Sequence, residues 1–287
     1  MERVVKDRKK RRINIGRIPC YLIISIWAIT EIFMYTWMFY SSFKNTPEIY
    51  QDMLALPKSL KLDNYIEILS GRYSNIYMGR YLINSAIVAL ISLGGILLIS
   101  TCAGYSLSKK SKVTDLLFYY FLVMIAIPTP SIIIPVYYQL DYLGLANNLL
   151  GISLTYIAFN TPFSIVLSRA FFKLFPKELE DAGKIDGLSD LGVFARIVLP
   201  SSRSLLIVLT VINFPNVWNE LFYALVLLTK NEVRTVQPGI MMFFGAHDIQ
   251  WGDIFAGLTL SALPVIVVYI IFQRYIAQQL ILGAIKG

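Results

Sequence analysis

Charge is scarce in this sequence. Asp, Glu, Lys and Arg supply only 15% of 287 residues, against about 25% in an average soluble domain. A disordered chain needs high charge and low hydrophobicity, so that class is excluded. Histidine occurs once, at His247, which leaves no imidazole cluster for a metal site. Two cysteines, Cys20 and Cys102, cannot build a disulfide framework. Both lie in apolar runs and read as small buried hydrophobes. Phosphate-binding loops are missing as well: no G-x-x-x-x-G-K-[ST] occurs, and Gly183-Lys184 is followed by Ile185, which has no hydroxyl for Mg²⁺. H-E-x-x-H and G-x-S-x-G are absent, and a Ser/His dyad would have to draw on His247 in a loop near Trp251. The chain therefore reads as non-catalytic, with no cofactor or metal of its own.

What is plentiful is apolar side chain, at 56% of residues, with a mean hydropathy of +0.61. A soluble domain could not keep that much apolar surface out of water, so the class is all-α polytopic membrane protein. A helix crossing about 30 Å of hydrocarbon needs about 20 residues. Six segments qualify, at 20–40, 81–105, 116–140, 149–171, 205–228 and 254–275.

Nineteen of the 26 Lys and Arg fall in the N-terminal tail, after spans two and four, and at the C-terminus. That asymmetry places both termini in the cytoplasm. The net charge of +8 is then a topology signal, and a nucleic-acid role for the basic tail is the weaker reading. The first apolar stretch is longer than a signal-peptide core and no small-x-small site follows it, so the first span is expected to stay. The expected organisation is a basic tail over 1–19, a first helix over 20–40, an external loop over 41–80, a core over 81–275 with a cytoplasmic loop at 172–204, and a tail over 276–287. The external loop is long for a helix connection and is expected to hold short interfacial helix.

Charges inside the spans are few, chiefly Glu31 and Glu220. An ionised group in hydrocarbon costs about 2.5–3.5 kcal/mol on insertion scales, so each needs a partner or an aqueous cavity. Glu220 lies about 25 Å beyond Arg203 along a straight helix, near the outer interface. Span three carries Pro128, Thr129, Pro130 and Pro135, and span four carries Asn160, Thr161 and Pro162. Such breaks free carbonyls that protein or cavity water must satisfy. They point either to a translocation route or to kinks packed on a neighbour. Tyr119, Tyr120 and Phe121 read as lipid-facing or packing residues.

The most informative stretch lies between spans four and five. Pro176 can open a helix, and Glu178, Glu180 and Asp181 suit its positive end. Leu179, Ala182, Gly183 and Asp186 share one face by i, i+3, i+4 spacing. Small residues at Ala182 and Gly183 would let another surface approach the backbone. Gly187 permits a sharp turn, Ser189 can cap the next short helix, and Pro200 helps end it. Spacing alone favours a mere amphipathic connector.

The same loop resembles the "EAA" motif of ABC importer permeases, E-A-A, three residues, G, nine residues, I-x-L-P. Asp181, Ala182 and Gly183 take the first three places, Gly187 the glycine, and Ile197, Leu199 and Pro200 the tail, with Asp for Glu and Gly for Ala as departures. Ser42-Phe43-Lys44, Asn64-Tyr65, Asn84-Ser85, Gly144-Leu145, Asp186-Gly187, Trp218-Asn219-Glu220 and the ending Gly283 to Gly287 are similar to the maltose-type second permease subunit. The resemblance implies a type I importer fold and a carbohydrate-importing permease subunit in the cell membrane. It implies a second homologous permease, two cytoplasmic ATPase subunits that bind ATP and Mg²⁺, an extracytoplasmic solute-binding protein, and a coupling helix that docks on the ATPase. Glu180, Asp181, Ala182, Gly183, Asp186, Gly187, Ile197, Leu199 and Pro200 are the expected coupling residues. Asn160, Pro162, Trp218, Asn219 and Glu220 are candidates for pathway or packing. The rival readings are a permease for a non-sugar solute and an ATP-independent transporter, whose ion site would have to use Glu31 or Glu220.

Overall fold

A computed structural model describes residues 18–71, 76–244 and 249–285, and all regular structure among them is helical. The expectations placed on the basic tail through Arg17, on His247 and on Lys286–Gly287 lie outside the described residues. Four helices are long and apolar enough to cross a membrane. They are α1 (Ile18–Ser41), α4 (Met78–Ser108), α7 (Leu149–Lys173) and the Trp251–Tyr275 part of α14 (Trp251–Ile285). The helix α14 continues unbroken past 275, so the expected tail begins as an extension of span six.

Two further apolar helix pairs are bent, and the count reaches six if each pair is one span. In span three, α5 (Lys112–Ile125) meets α6 (Ile133–Tyr142) through a 3₁₀ turn (Thr129–Ile132), and the axis turns by 90°. Pro128 disfavours the helical region at Ile127 and is itself extended, which stops α5. Pro135 falls in the first turn of α6, where its missing N–H costs nothing. Span five ends early: α11 (Arg203–Trp218) stops at Trp218, and residues to 228 form a separate short helix, α12 (Phe222–Leu227). Span four, by contrast, is not broken. The helix α7 runs straight through Pro162, which is buried, and Asn160 Nδ2 turns back onto the Tyr156 carbonyl at 2.8 Å.

The packing axis of the molecule is the pair α4–α7. Small residues let the two backbones approach. A Cβ on Gly95 would lie 2.4 Å from Ile157, and one on Gly104 would lie 2.4 Å from Ser168. At the end of this pair the buried Arg169 closes the turn between α4 and α5. Its Nε donates to the Leu107 carbonyl at 2.9 Å, its Nη2 meets the Asp115 carboxylate, and its guanidinium lies 3.8 Å over the Phe118 ring.

At the opposite end the long loop after α1 is folded. It contains α2 (Thr46–Gln51) and α3 (Asp63–Ser70), the short helices expected there. Lys44 is fully buried, with Nζ donating to the Asp52 and Met53 carbonyls at 3.2 and 3.3 Å. Asn64 donates to the Ser42 and Lys44 carbonyls, and Ser42 and Tyr65 share a hydroxyl pair at 2.6 Å. The strings Ser42-Phe43-Lys44 and Asn64-Tyr65 thus close on each other. Cys20 and Cys102 are both exposed, which corrects their reading as buried hydrophobes. In a membrane chain an apolar run faces outward as readily as inward, so apolar neighbours do not imply burial.

Candidate functional site: the elbow between α7 and α11

After α7 the chain forms α8 (Lys177–Ile185), α9 (Asp190–Val193), a π-helical turn (Phe194–Val198) and α10 (Leu199–Ser201), then bends by 72° into α11. Pro176 stands at the N-cap of α8, one place earlier than the first helical position. The C-terminus of α8 closes by a left-handed glycine. Gly187 has φ +82°, its N–H donates to the Lys184 carbonyl, and the Leu188 N–H donates to the Gly183 carbonyl, each at 3.0 Å. This is the Schellman arrangement, and it satisfies carbonyls that the last helical turn leaves free. Ser189 Oγ then accepts the Gly192 N–H at 3.2 Å and caps α9.

The elbow is a wedge with two faces. Gly183 is buried, and a Cβ there would sit 2.5 Å from Ile197 Cδ1 and 3.2 Å from Val193 Cγ2. Gly183 therefore admits a neighbour from its own chain and not an outside surface, as the spacing had suggested. Glu180 is likewise turned inward, where its Oε2 accepts the Tyr105 hydroxyl at 2.9 Å. Ile197 and Leu199 are half-buried on the same side, over a core of Tyr105, Phe172, Val193, Phe194 and Val198. The outward side carries Asp181, Ala182, Asp186 and Gly187, all exposed, and Pro200 is exposed further along. The four residues expected on one α8 face are thus divided between two environments.

Two exposed apolar residues on this outward side escaped the sequence reading. Ile185 is 86% exposed and Leu191 75% exposed. Each follows a charged residue, Lys184 or Asp190, and breaks no periodicity, so only the folded geometry reveals them. One lysine ties the wedge to a membrane helix and a second braces it internally. Asp190 accepts Lys184 at 3.1 Å and Lys109, at the end of α4, at 3.6 Å. The hydrogen bond that Lys184 donates to Asp190 raises the Lys184 ammonium above its ordinary range. Its charged form is present through neutral pH and is lost only as pH climbs through that raised value.

The remaining candidates lie at the far end. Trp218 is buried, stacks on Phe214 at 5.5 Å and donates to the Ser261 carbonyl of α14 at 3.0 Å. Asn219 accepts from Gln237 at 3.3 Å. The Glu220 carboxylate accepts the Tyr156 hydroxyl at 2.6 Å and the N–H groups of Tyr223 and Ala224 at 2.9 and 3.1 Å. Glu220 therefore starts α12 and ties it to α7. Asn160 and Pro162 belong to the body of α7. Pro162 and Trp218 are buried and Glu220 and Asn160 are half-buried, whereas Asn219 is exposed.

Compared with known proteins, residues 95–282 match the model of the "Binding-protein-dependent transport system inner membrane component" family. The chain belongs to this family. The matched region includes α7, the whole elbow and most of α14. This inner membrane component is 32% identical to the probable ABC transporter permease YurM of Bacillus subtilis, over 99% of this chain and 93% of that one. It is 31% identical to the trehalose/maltose transport system permease MalG of Thermococcus litoralis, over 91% and 94%. Its backbone matches, with a TM-score of 0.79 and 20% identity over 91% of this chain and 96% of the other, a chain from the crystal structure of a bacterial ABC transporter that imports alginate. The fold is thus the type I ABC importer membrane fold, and the chain is a transport permease subunit.

Proposed function

We propose that this subunit forms half of the translocation pathway of an ATP-driven, binding-protein-dependent sugar importer, and that its elbow receives the stroke of a cytoplasmic ATPase. The elbow carries this reading. It is a stiff wedge, closed by the Gly187 turn, fixed to two spans, with an outward surface of Asp181, Ala182, Ile185 and Asp186 that the other described residues leave uncovered. A rigid short helix joined to α7 and α11 transmits displacement to both. The sequence has no nucleotide-binding loop, so the fuel-consuming step belongs to another subunit. On this reading the elbow end is cytoplasmic, as are both termini, which agrees with the charge asymmetry. The assembly comprises a second permease, two ATPase subunits and an external binding protein, and transport proceeds by rocking of the two membrane halves.

A sugar cargo is favoured by the likeness to a trehalose/maltose permease and by the matching strings outside the elbow. The all-packing role of Glu220 and its full set of donors disfavour an ion-coupled transporter using that carboxylate. The test is uptake of a panel of radiolabelled sugars into proteoliposomes holding the complete transporter, with ATP inside or outside. Sugar accumulation only with ATP on the elbow side is expected. Accumulation without the ATPase subunits would overturn the proposal.

A further inference from the structure

Between the end of α4 and α9 lies a groove of about 330 Å³, lined by Cys102, Tyr105, Ser106 and Lys109 on one wall and Asp190, Leu191 and Phe194 on the other. The elbow alone does not account for it. Its mouth is cationic. Lys109, Lys110 and Lys112 crowd a turn of four residues whose shape is fixed by Ser111, which caps α5 through the Val113 N–H. Lys184 adds a further positive charge; Asp190 pairs with both Lys109 and Lys184, Glu180 and Asp181 also lie near Lys184, and the four lysines still outnumber these three carboxylates. The longer of those contacts is 3.6 Å, and an ammonium has three donors, so Lys109 has bonding capacity to spare.

The floor of the groove is apolar and continues along α4. Cys102 and Leu98 stand on the same face as Lys109 and both are exposed. From Leu98 to Lys109 the helix rises about 16 Å, half the thickness of the hydrocarbon core. A cationic mouth at the interface above an exposed apolar track one leaflet deep matches one kind of occupant in both charge and shape. We propose that this groove binds an anionic phospholipid, its headgroup phosphate on Lys109 and one acyl chain along Cys102 and Leu98. The proposal rests on reading the elbow end as the cytoplasmic side. A free phosphate would use the mouth and leave the apolar track empty. The lipid phosphate takes the ammonium donors that Lys109 does not give to Asp190.

Cys102 is a natural reporter of this groove. The complete transporter is placed in nanodiscs of phosphatidylcholine alone, or of phosphatidylcholine with phosphatidylglycerol. The rate of maleimide addition to Cys102 is followed by mass spectrometry of the peptide that carries it. Nanodiscs are open on both sides, so the readout does not depend on orientation, and it needs no transport, so it can fail or succeed separately from the proposed transport function. Phosphatidylglycerol is expected to slow the reaction. Lys109→Gln is expected to lose about fivefold of that protection, the share of one lysine at an anionic surface, while Lys109→Arg keeps it. Inorganic phosphate in the buffer is expected to give no protection. Equal rates in the two lipids, protection that survives Lys109→Gln, or a Cys102 that is unreactive in both because another subunit covers it would each overturn the proposal.

Discussion

A methyl group added at Gly183 would reach to 2.5 Å from Ile197 Cδ1, the mobile end of a side chain, while at Gly187 it would meet nothing within 4 Å. The two glycines therefore fail in different ways. Gly183→Ala gains about 1 kcal/mol of helix propensity and loses about 1–3 kcal/mol to overpacking, so the melting temperature of the purified transporter should fall. In an Ile197→Val background, which removes the offending methyl, the same change should become neutral or stabilising. Gly187 has a backbone cost instead: at φ +82° an L-residue loses about 1–2 kcal/mol. Asn should be tolerated better than Ala, and Val worst, with coupled uptake falling in that order. Ala182 is exposed, and Ala182→Trp should leave thermal stability unchanged while abolishing uptake and leaving ATP hydrolysis unlinked to it. A parallel loss of stability and uptake in that variant would assign Ala182 to the internal packing of the elbow.

At the scale of elements, the strength of the elbow depends on how the ends of α4, α5 and α7 are tied. Arg169 makes that tie with one carbonyl, one carboxylate and one aromatic face. Arg169→Gln should lower stability by about 1–3 kcal/mol, because the Leu107 carbonyl stays buried while the half-exposed Asp115 rehydrates. Arg169→Lys should recover only part, since a lysine lacks the planar fork. Melting of the detergent-solubilised complex reads both. The same elements show why the sequence was legible in places and opaque in others. Helix lengths and the elbow turn follow from hydropathy, Gly187 and Ser189, all local signals. Whether a proline breaks a span is not local. Pro162 is carried through because α7 lies along α4, whereas Pro128 and Pro130 remove two of three successive amide donors where the chain turns by 90°. The end of α11 at Trp218 was hidden because the residues beyond it stay apolar. Its cause is a set of long-range bonds, from Trp218 to Ser261 and from Tyr156 to Glu220. The inward turn of Glu180 depends on Tyr105, 75 residues away, and no spacing rule reaches that far.

For the whole molecule, the α4–α7 pair is a rigid spine that joins the far-end loop to the elbow. One end is sealed by the loop that buries Lys44, and the other presents an exposed wedge with apolar Ile185 at its tip. Exposed apolar side chains outside the membrane are costly unless a partner covers them, which makes Ile185 the residue most directly informative about docking. The decisive measurement is disulfide crosslinking from Ile185→Cys, in the assembled transporter, to cysteines placed across the membrane-facing surface of the ATPase subunit. Rapid crosslinking that changes with bound ATP and blocks uptake is the expected result. Fully exposed Ile185→Cys that forms no crosslink to the ATPase, in a transporter that still takes up sugar, would contradict the claim that this elbow carries the stroke.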